Sequence, residues 1–362
     1  MSARAPVVGF RSNGFRQSLR LAARLMQLPL SVGDGGAAVH DLQRRLAALG
    51  LSCGDDQPGH FDEGTSSAVR AHQQSAGLDV DGVVGQITWQ ALVEAGYRLG
   101  DRQLYHRSPM MRGDDIAELQ RRLGALGFDA GRVDGIFGPL TSKALTEFQR
   151  NSGLVSDGIF GRDSAAALDR LGRGRTAAVN VAHVRELEVL REAPRDLAGR
   201  RVAVGEPGGL GALATAVSHN LREQGAKVAI LDHPDWSIQA REANDFAAEV
   251  YLGIRLLTDV GHRVAYFQTA GFESTGGRWL AELLTGELAA CLGHPGEGAV
   301  GRRLPILRET RMPAVLCEAG PPVVVVSRLS ELAKTLVSGL VRWAAEPMPR
   351  SVLDVRDALD LT

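Results

Sequence analysis

The chain repeats itself. Leu42-Gln43-Arg44-Arg45-Leu46, followed by Leu49-Gly50, returns 77 residues later as Leu119-Gln120-Arg121-Arg122-Leu123, followed by Leu126-Gly127. Asp81-Gly82-Val83-Val84-Gly85 returns 76 residues later as Asp157-Gly158-Ile159-Phe160-Gly161. Self-similarity at this period means two copies of one small supersecondary unit, and it predicts modules over 31–98 and 111–172. A length of 362 residues carries a prior of two to three domains, so the remainder must form a fold of its own.

The second copy shows the design. Gly113-Asp114-Asp115 precedes Ile116, Leu119, Leu123 and Leu126, apolar positions spaced by 3 and 4, so an Asp-capped helix starts near 115 and stops at Gly127. Asp134-Gly135-Ile136-Phe137-Gly138-Pro139-Leu140-Thr141 then supplies a turn, an apolar anchor and a Thr N-cap. Ala144, Leu145 and Phe148 give the next helix a buried face as far as Gly153, and a second D-G-x-F-G turn opens a third helix through Ala165, Leu168 and Leu171. The first copy departs from this pattern. Pro58-Gly59-His60-Phe61-Asp62 stands at its first turn and His72-Gln73-Gln74 at its F-Q, while the turn at Asp81 is intact. That copy is expected to keep the fold.

The D-G-x-F-G-P-x-T-x-x-A-L-x-x-F-Q pattern resembles the peptidoglycan-binding domain 1 family of three-helix modules. The resemblance points to Asp134, Phe137, Asp157, Phe160 and Asp81 as turn residues of a ligand site. The residues taken alone also allow a plainer role, closing turns and filling a small core.

Residues 173–198 are rich in charge and alanine, with Val184, Leu187 and Leu190 on one helical stripe, and read as a linker containing a short helix. From 199 to 345 the pattern is α/β. Val202-Ala203-Val204 and Val228-Ala229-Ile230-Leu231 flank a helical stretch from Leu213 to Glu223. Further strands are expected at Val250–Ile254, Val264–Phe267 and Ala314–Cys317, and amphipathic helices at Trp279–Leu292 and Leu329–Trp343. The fold class is therefore multidomain: two small all-α modules plus one α/β domain with a central mixed sheet flanked by helices. Gly205 to Gly211 follows the first strand, but its spacing is not G-x-G-x-x-G and Pro207 interrupts it, which argues against a dinucleotide site.

Several landmarks of the α/β part resemble the amidase-3 type of zinc-dependent N-acetylmuramoyl-L-alanine amidases. They are Leu221-x-x-x-Gly225-x-x-Val228, Arg241-Glu242-Ala243-Asn244, Glu249-Val250-Tyr251-Leu252-Gly253-Ile254, and Leu307-x-x-x-Arg311-Met312-Pro313-Ala314-Val315-Leu316-Cys317-Glu318. The resemblance implies one zinc held by His, Glu and His, with a later Glu polarising the attacking water, since a catalytic zinc keeps three protein ligands and a water. This chain departs from that set. Its first loop, Gly205-Glu206-Pro207-Gly208-Gly209, has no histidine, and Arg255 stands where the second zinc His belongs. A guanidinium has no lone pair to offer and repels a cation. Glu206 remains as a candidate remnant ligand and Glu318 as a vestigial general base, for which Arg255 is a natural ion-pair partner if the old pocket persists. His183, His219, His233, His262 and His294 are not paired at i, i+4, so no cofactor is expected. The alternative reading is an active amidase with an atypical zinc site.

The paired modules, the Tyr97-Arg98-Leu99-Gly100-Asp101-Arg102-Gln103-Leu104-Tyr105-His106 connection and the altered amidase-3 part together resemble a family of actinobacterial, mostly mycobacterial, pseudo-amidases that regulate peptidoglycan synthesis. That family implies a cytoplasmic protein with no signal peptide. It is controlled by a Ser/Thr kinase acting on its tail, and it stimulates the enolpyruvyl transferase that commits UDP-N-acetylglucosamine to wall precursor. It also implies docking to lipid-linked precursor machinery at the membrane. In the tail, 346–362, Ser351 and Thr362 are the candidate phosphorylation sites, and peptidoglycan or its precursors are the expected ligands. Export as a wall adhesin is the remaining class.

Composition is consistent with this reading. With 41 Lys+Arg against 42 Asp+Glu, no global field favours nucleic acid. No window holds the ~18 apolar residues of a membrane span. The three cysteines, Cys53, Cys291 and Cys317, suit a reducing compartment. The extension 1–30 contains Leu21, Leu25 and Leu28 at helical spacing, either as a short interfacial helix or as a helix packed on the next domain. Arg16, Arg20 and Arg24 break every candidate signal-peptide core there.

Overall fold

The computed structural model describes residues 28–172, 181–346 and 348. The chain divides into two compact units. The first is built mainly from two helical modules. One carries α1 (Ala37–Ala48), α2 (Glu63–Ser75) and α3 (Gln86–Ala95); the other carries α4 (Asp114–Ala125), α5 (Pro139–Asn151) and α6 (Arg162–Gly172). In the first module Val39, Leu42 and Leu46 of α1 meet Val69 of α2 and Leu92 of α3 around Phe61, all at most 1% exposed. In the second, Leu119, Leu123, Phe137, Leu145 and Phe148 are buried just as fully. Each such side chain contributes about 1.5–3 kcal/mol by leaving water. Matching bridges pin the loops: Leu30 with Val84 and Gly35 with His60 in one copy, Leu104 with Phe160 and Arg112 with Ile136 in the other.

Two helix starts in the second module differ from the sequence expectation. Helix α5 begins at Pro139 after Gly138, so Thr141 lies inside the first turn, 1% exposed, and is not the cap. Proline's fixed φ is already helical and its missing N–H costs nothing at N1, which moves the start upstream. Asp115 lies inside α4, not before it. Its buried carboxylate is gripped by Arg102, Nε donating at 2.7 Å and Nη2 at 3.0 Å.

The second unit contains α7 (Val181–Glu192) and a sheet domain; residues 173–180 lie outside the described residues. The strands are β1 (Arg201–Gly205), β2 (Lys227–Leu231), β3 (Val250–Leu256), β4 (Gly261–Thr269), β5 (Phe272–Glu273), β6 (Ala299–Arg302) and β7 (Ala314–Gly320). The helices are α8 (Gly211–Glu223), α9 (Trp236–Asp245), α10 (Thr275–Leu292), α11 (Pro305–Glu309), α12 (Pro322–Ser327) and α13 (Leu329–Ala345). The sheet order is β2-β1-β3-β7-β4-β5, with β6 also paired to β4. β2, β1, β3 and β7 are parallel, and β4 runs antiparallel to β7, so the sheet is mixed as expected.

Alternation along the strands sorts the two faces. Val202 and Val204, Leu252 and Ile254, Val264 and Tyr266, and Val315 and Cys317 join Leu213 and Val217 of α8, Leu280 and Leu284 of α10, and Leu336 and Leu340 of α13 in one core. On the other face Tyr251 meets Gln239 of α9. Helix α7 belongs to this unit through two side chains. The His183 ring Nδ1 is 2.9 Å from the Thr275 hydroxyl, and the Glu186 carboxylate accepts from the Ser274 hydroxyl at 2.6 Å and the Gly276 N–H at 3.2 Å. A carboxylate there satisfies donors that the first turn of α10 leaves unpaired.

Candidate functional site

The parallel direction of β1, β3 and β7 brings their carboxyl ends to one edge of the sheet, and the reversed direction of β4 brings its start to the same edge. Glu318 of β7 is in register with Arg255 of β3 on one side and with Arg263 of β4 on the other. All three side chains meet. Arg255 Nε donates to Glu318 Oε1 at 2.6 Å and Arg263 Nε donates to Oε2 at 2.6 Å, so each carboxylate oxygen has its own guanidinium. Arg263 continues outward to Glu297, Nη1 to Oε1 at 3.1 Å. Glu318 is 1% exposed and the two arginines about a fifth. Burial works against the charge of Arg263, but the bonds to Glu318 and Glu297 outweigh it and push its pKa above the ordinary value.

Glu206 does not join this group. Its carboxylate turns back on its own loop, Oε2 accepting from Gly208 N–H at 2.8 Å and Leu210 N–H at 3.0 Å, ahead of α8. The space beside the end of β1 is filled by a phenol: Tyr251 donates to Gln239 Oε1 at 2.8 Å, and Gln239 Nε2 donates to the Glu206 carbonyl at 3.0 Å. Gly205 has no side chain because a Cβ there would collide with the Tyr251 hydroxyl. Burial raises the Tyr251 pKa well above its usual value, so the phenol stays a proton donor.

The residues present do not fit a zinc ion. Arg255, at the position where the amidase-3 resemblance expects a zinc histidine, is bonded to Glu318, and Glu206 is committed to backbone donors. Among the described residues no three His, Cys, Asp or Glu side chains are gathered where a metal could be held.

The module turns are tied by glutamines. Gln149 accepts from Gly158 N–H at 2.9 Å and donates to Asp157 at 2.9 Å, the Ile159 carbonyl at 3.0 Å and the Ser164 hydroxyl at 3.2 Å. Gln73 repeats this in the first module with Gly82, Asp81, Val83 and Thr88. Gly82 and Gly158 adopt φ of 75° and 71°, a region open to glycine. Asp157 also accepts from Ile159 N–H, and with Gln149 this holds its carboxyl below the usual range. Gln120 bonds Asp134 at 2.8 Å, and Gln43 bonds Gly59, Gln57, His60 and Thr65. Phe137 and Phe160 are 0% and 1% exposed, so they lie under the turns and have no face for a ligand. Phe61 is buried just as fully, and Gly59 has φ 82°, so the altered first turn of module 1 keeps its shape.

Sequence reasoning missed Arg263 and the glutamines. Arg263 becomes visible only through the pairing of β4 with β7, whereas Gln73 was readable, since it aligns with Gln149 once His72 is set against Phe148. Ser351 and Thr362 lie outside the described residues.

Comparison with known proteins agrees with the architecture. The peptidoglycan binding domain family matches twice, over residues 35–92 and 112–168. The N-acetylmuramoyl-L-alanine amidase CwlM of Mycobacterium tuberculosis is 35% identical over 338 residues, covering 80% of this chain and 81% of the relative. The amidase CwlL of Bacillus licheniformis is 36% identical over 39% of this chain and 45% of its own length. Among solved structures, the catalytic domain of the amidase CwlV from Bacillus (Paenibacillus) polymyxa var. colistinus is 18% identical, covers 40% of this chain and 97% of that chain, and has a TM-score of 0.34. With peptidoglycan-binding modules in tandem and identity running through most of both chains, the protein belongs to the family of the N-acetylmuramoyl-L-alanine amidase CwlM.

Proposed function

We propose that this chain is a non-catalytic, peptidoglycan-binding regulator or scaffold of cell-wall precursor synthesis, descended from a zinc amidase. One observation carries the reading: both oxygens of Glu318 are taken by guanidiniums, from Arg255 and Arg263. A general base must present a lone pair to the proton it abstracts, and this carboxylate presents both oxygens to arginine. The relatives bear the name amidase, which is the observation favouring a hydrolase. By its family likeness the protein acts in the cytoplasm on the enolpyruvyl transferase step, under a Ser/Thr kinase directed at the tail. The test is muropeptide release from purified sacculi by the wild type and by Glu318→Gln. Neither should exceed the buffer control; release by the wild type that is lost in Glu318→Gln would overturn the proposal.

A further inference from the structure

The second module has a groove that its glutamine-tied turns do not use. The outer face of α5, opposite its core residues, presents Ser142, Lys143, Thr146, Glu147 and Arg150 at 1, 3 and 4 spacing, and with His106 they line an open groove of about 560 Å³. That volume lies in the range of small-ligand sites. A lysine and an arginine face one carboxylate. Lys143 is 3.9 Å from Glu147, beyond hydrogen-bond length, and 73% exposed, so its ammonium is available to a further partner.

The first module differs at the equivalent place. A shift of 76 sets Ser67, Arg70 and Gln74 against Lys143, Thr146 and Arg150. Arg70 runs across the turn: its Nη1 donates to the Val80 carbonyl at 3.3 Å, and its Nε lies 2.8 Å from where a Cβ on Gly82 would stand. In the second module Thr146 bonds back to the Ser142 carbonyl at 2.9 Å, and a Cβ on Gly158 would meet its hydroxyl at 3.1 Å and that of Ser142 at 3.4 Å, so short hydroxyl side chains stand beside that turn in place of a guanidinium. The repeat has therefore diverged at one position that sets a guanidinium across the turn in one copy, and at two that place cations on the outer helix face in the other.

We propose that this groove binds a carboxylate-bearing stem peptide, from peptidoglycan or its soluble precursor, and that the first module does not bind it at the matching place. The proposal rests on the peptidoglycan-binding reading of the modules and names the copy and the chemistry. A peptide carboxylate suits an ammonium and a guanidinium on one helix face, because charge-assisted bonds are about twice as strong as neutral ones. A neutral glycan would gain little from two cations.

The test uses the full chain and two probes, a soluble muramoyl tripeptide titrated calorimetrically and purified sacculi in a sedimentation assay. Thr146→Arg, which copies Arg70, and the double variant Lys143→Gln/Arg150→Gln should each weaken tripeptide binding at least tenfold, with Arg70→Thr unchanged. A tripeptide with amidated carboxylates should bind the wild type as poorly as the free tripeptide binds the variants. Loss of sacculus retention in the same variants identifies the polymer as ligand; tripeptide binding without retention identifies the precursor. Both outcomes support the groove. Equal tripeptide affinity of wild type and variants, or indifference to amidation, overturns it while the peptidoglycan reading stands. No binding of either probe by the wild type overturns both. The double variant changes exposed side chains only, so it remains informative if Thr146→Arg impairs folding.

Discussion

Replacing Arg255 by methionine tests whether the row Arg255–Glu318–Arg263–Glu297 is integral to the fold. Removing one partner of a buried ion pair costs about 3–5 kcal/mol, because the other charge is left uncompensated. Here Arg263 still holds Glu318 Oε2 and both arginines reach solvent, which lowers the expected loss to about 2–4 kcal/mol. For a domain of about 150 residues this is a drop of roughly 5–15 °C in Tm. The assay is urea or thermal unfolding of the full chain followed by tryptophan fluorescence, since Trp236, Trp279 and Trp343 all report on the sheet domain. Adding Glu318→Leu closes a double-mutant cycle, and the double variant should lose clearly less than the sum of the two singles, because the buried charge leaves with its partner. Strict additivity, or single losses below about 0.5 kcal/mol, would refute the claim that the pair is energetically coupled.

Gln149→Ala leaves the Asp157-Gly158 turn without its tie and should destabilise the second module by about 2–4 kcal/mol, read as early loss of its amide protection in hydrogen exchange; unchanged protection would count against the glutamine. Stability should also fall on mild acidification. Burial lowers the pKa of His183 against the opposing pull of Glu186 and Glu273, and burial with the nearby His294 lowers that of His262. The unfolded chain then binds protons first, near pH 6.5, so stability is complete above that pH and is lost as pH falls through it toward the folded values. A Tm that stays level from pH 7.5 to 5.5 would contradict this, and His183→Gln with His262→Gln should flatten the decline.

How far the sequence could be read depended on how local each feature is. The strands at Val202, Val228, Val250, Val264 and Ala314, and the helices α10 and α13, were legible because apolar spacing within ten residues encodes them. Strand β6 and helices α11 and α12 are too short to show a period. The stretch 173–198 reads as a linker from its charge, yet α7 within it is fixed by His183 and Glu186, whose partners at 274–276 lie some ninety residues away. The same distance problem hid Arg263: the neighbour of Glu318 on that side is set by strand order, which no linear pattern states. Arg255 was visible because the amidase-3 likeness assigned its position a chemistry that a guanidinium cannot perform.

The amide ties carry one more consequence. Gln73 and Gln149 each use a carbonyl to receive a turn N–H and an amino group to hold a carboxylate, a carbonyl and a hydroxyl. Hydrolysis of either amide to an acid would change almost no volume, yet it would set a second negative charge against Asp81 or Asp157 and remove the donor. Each module thus contains at least one amide bond whose chemical ageing would work against a turn, and the record of that damage would appear as a loosened turn beside an intact core.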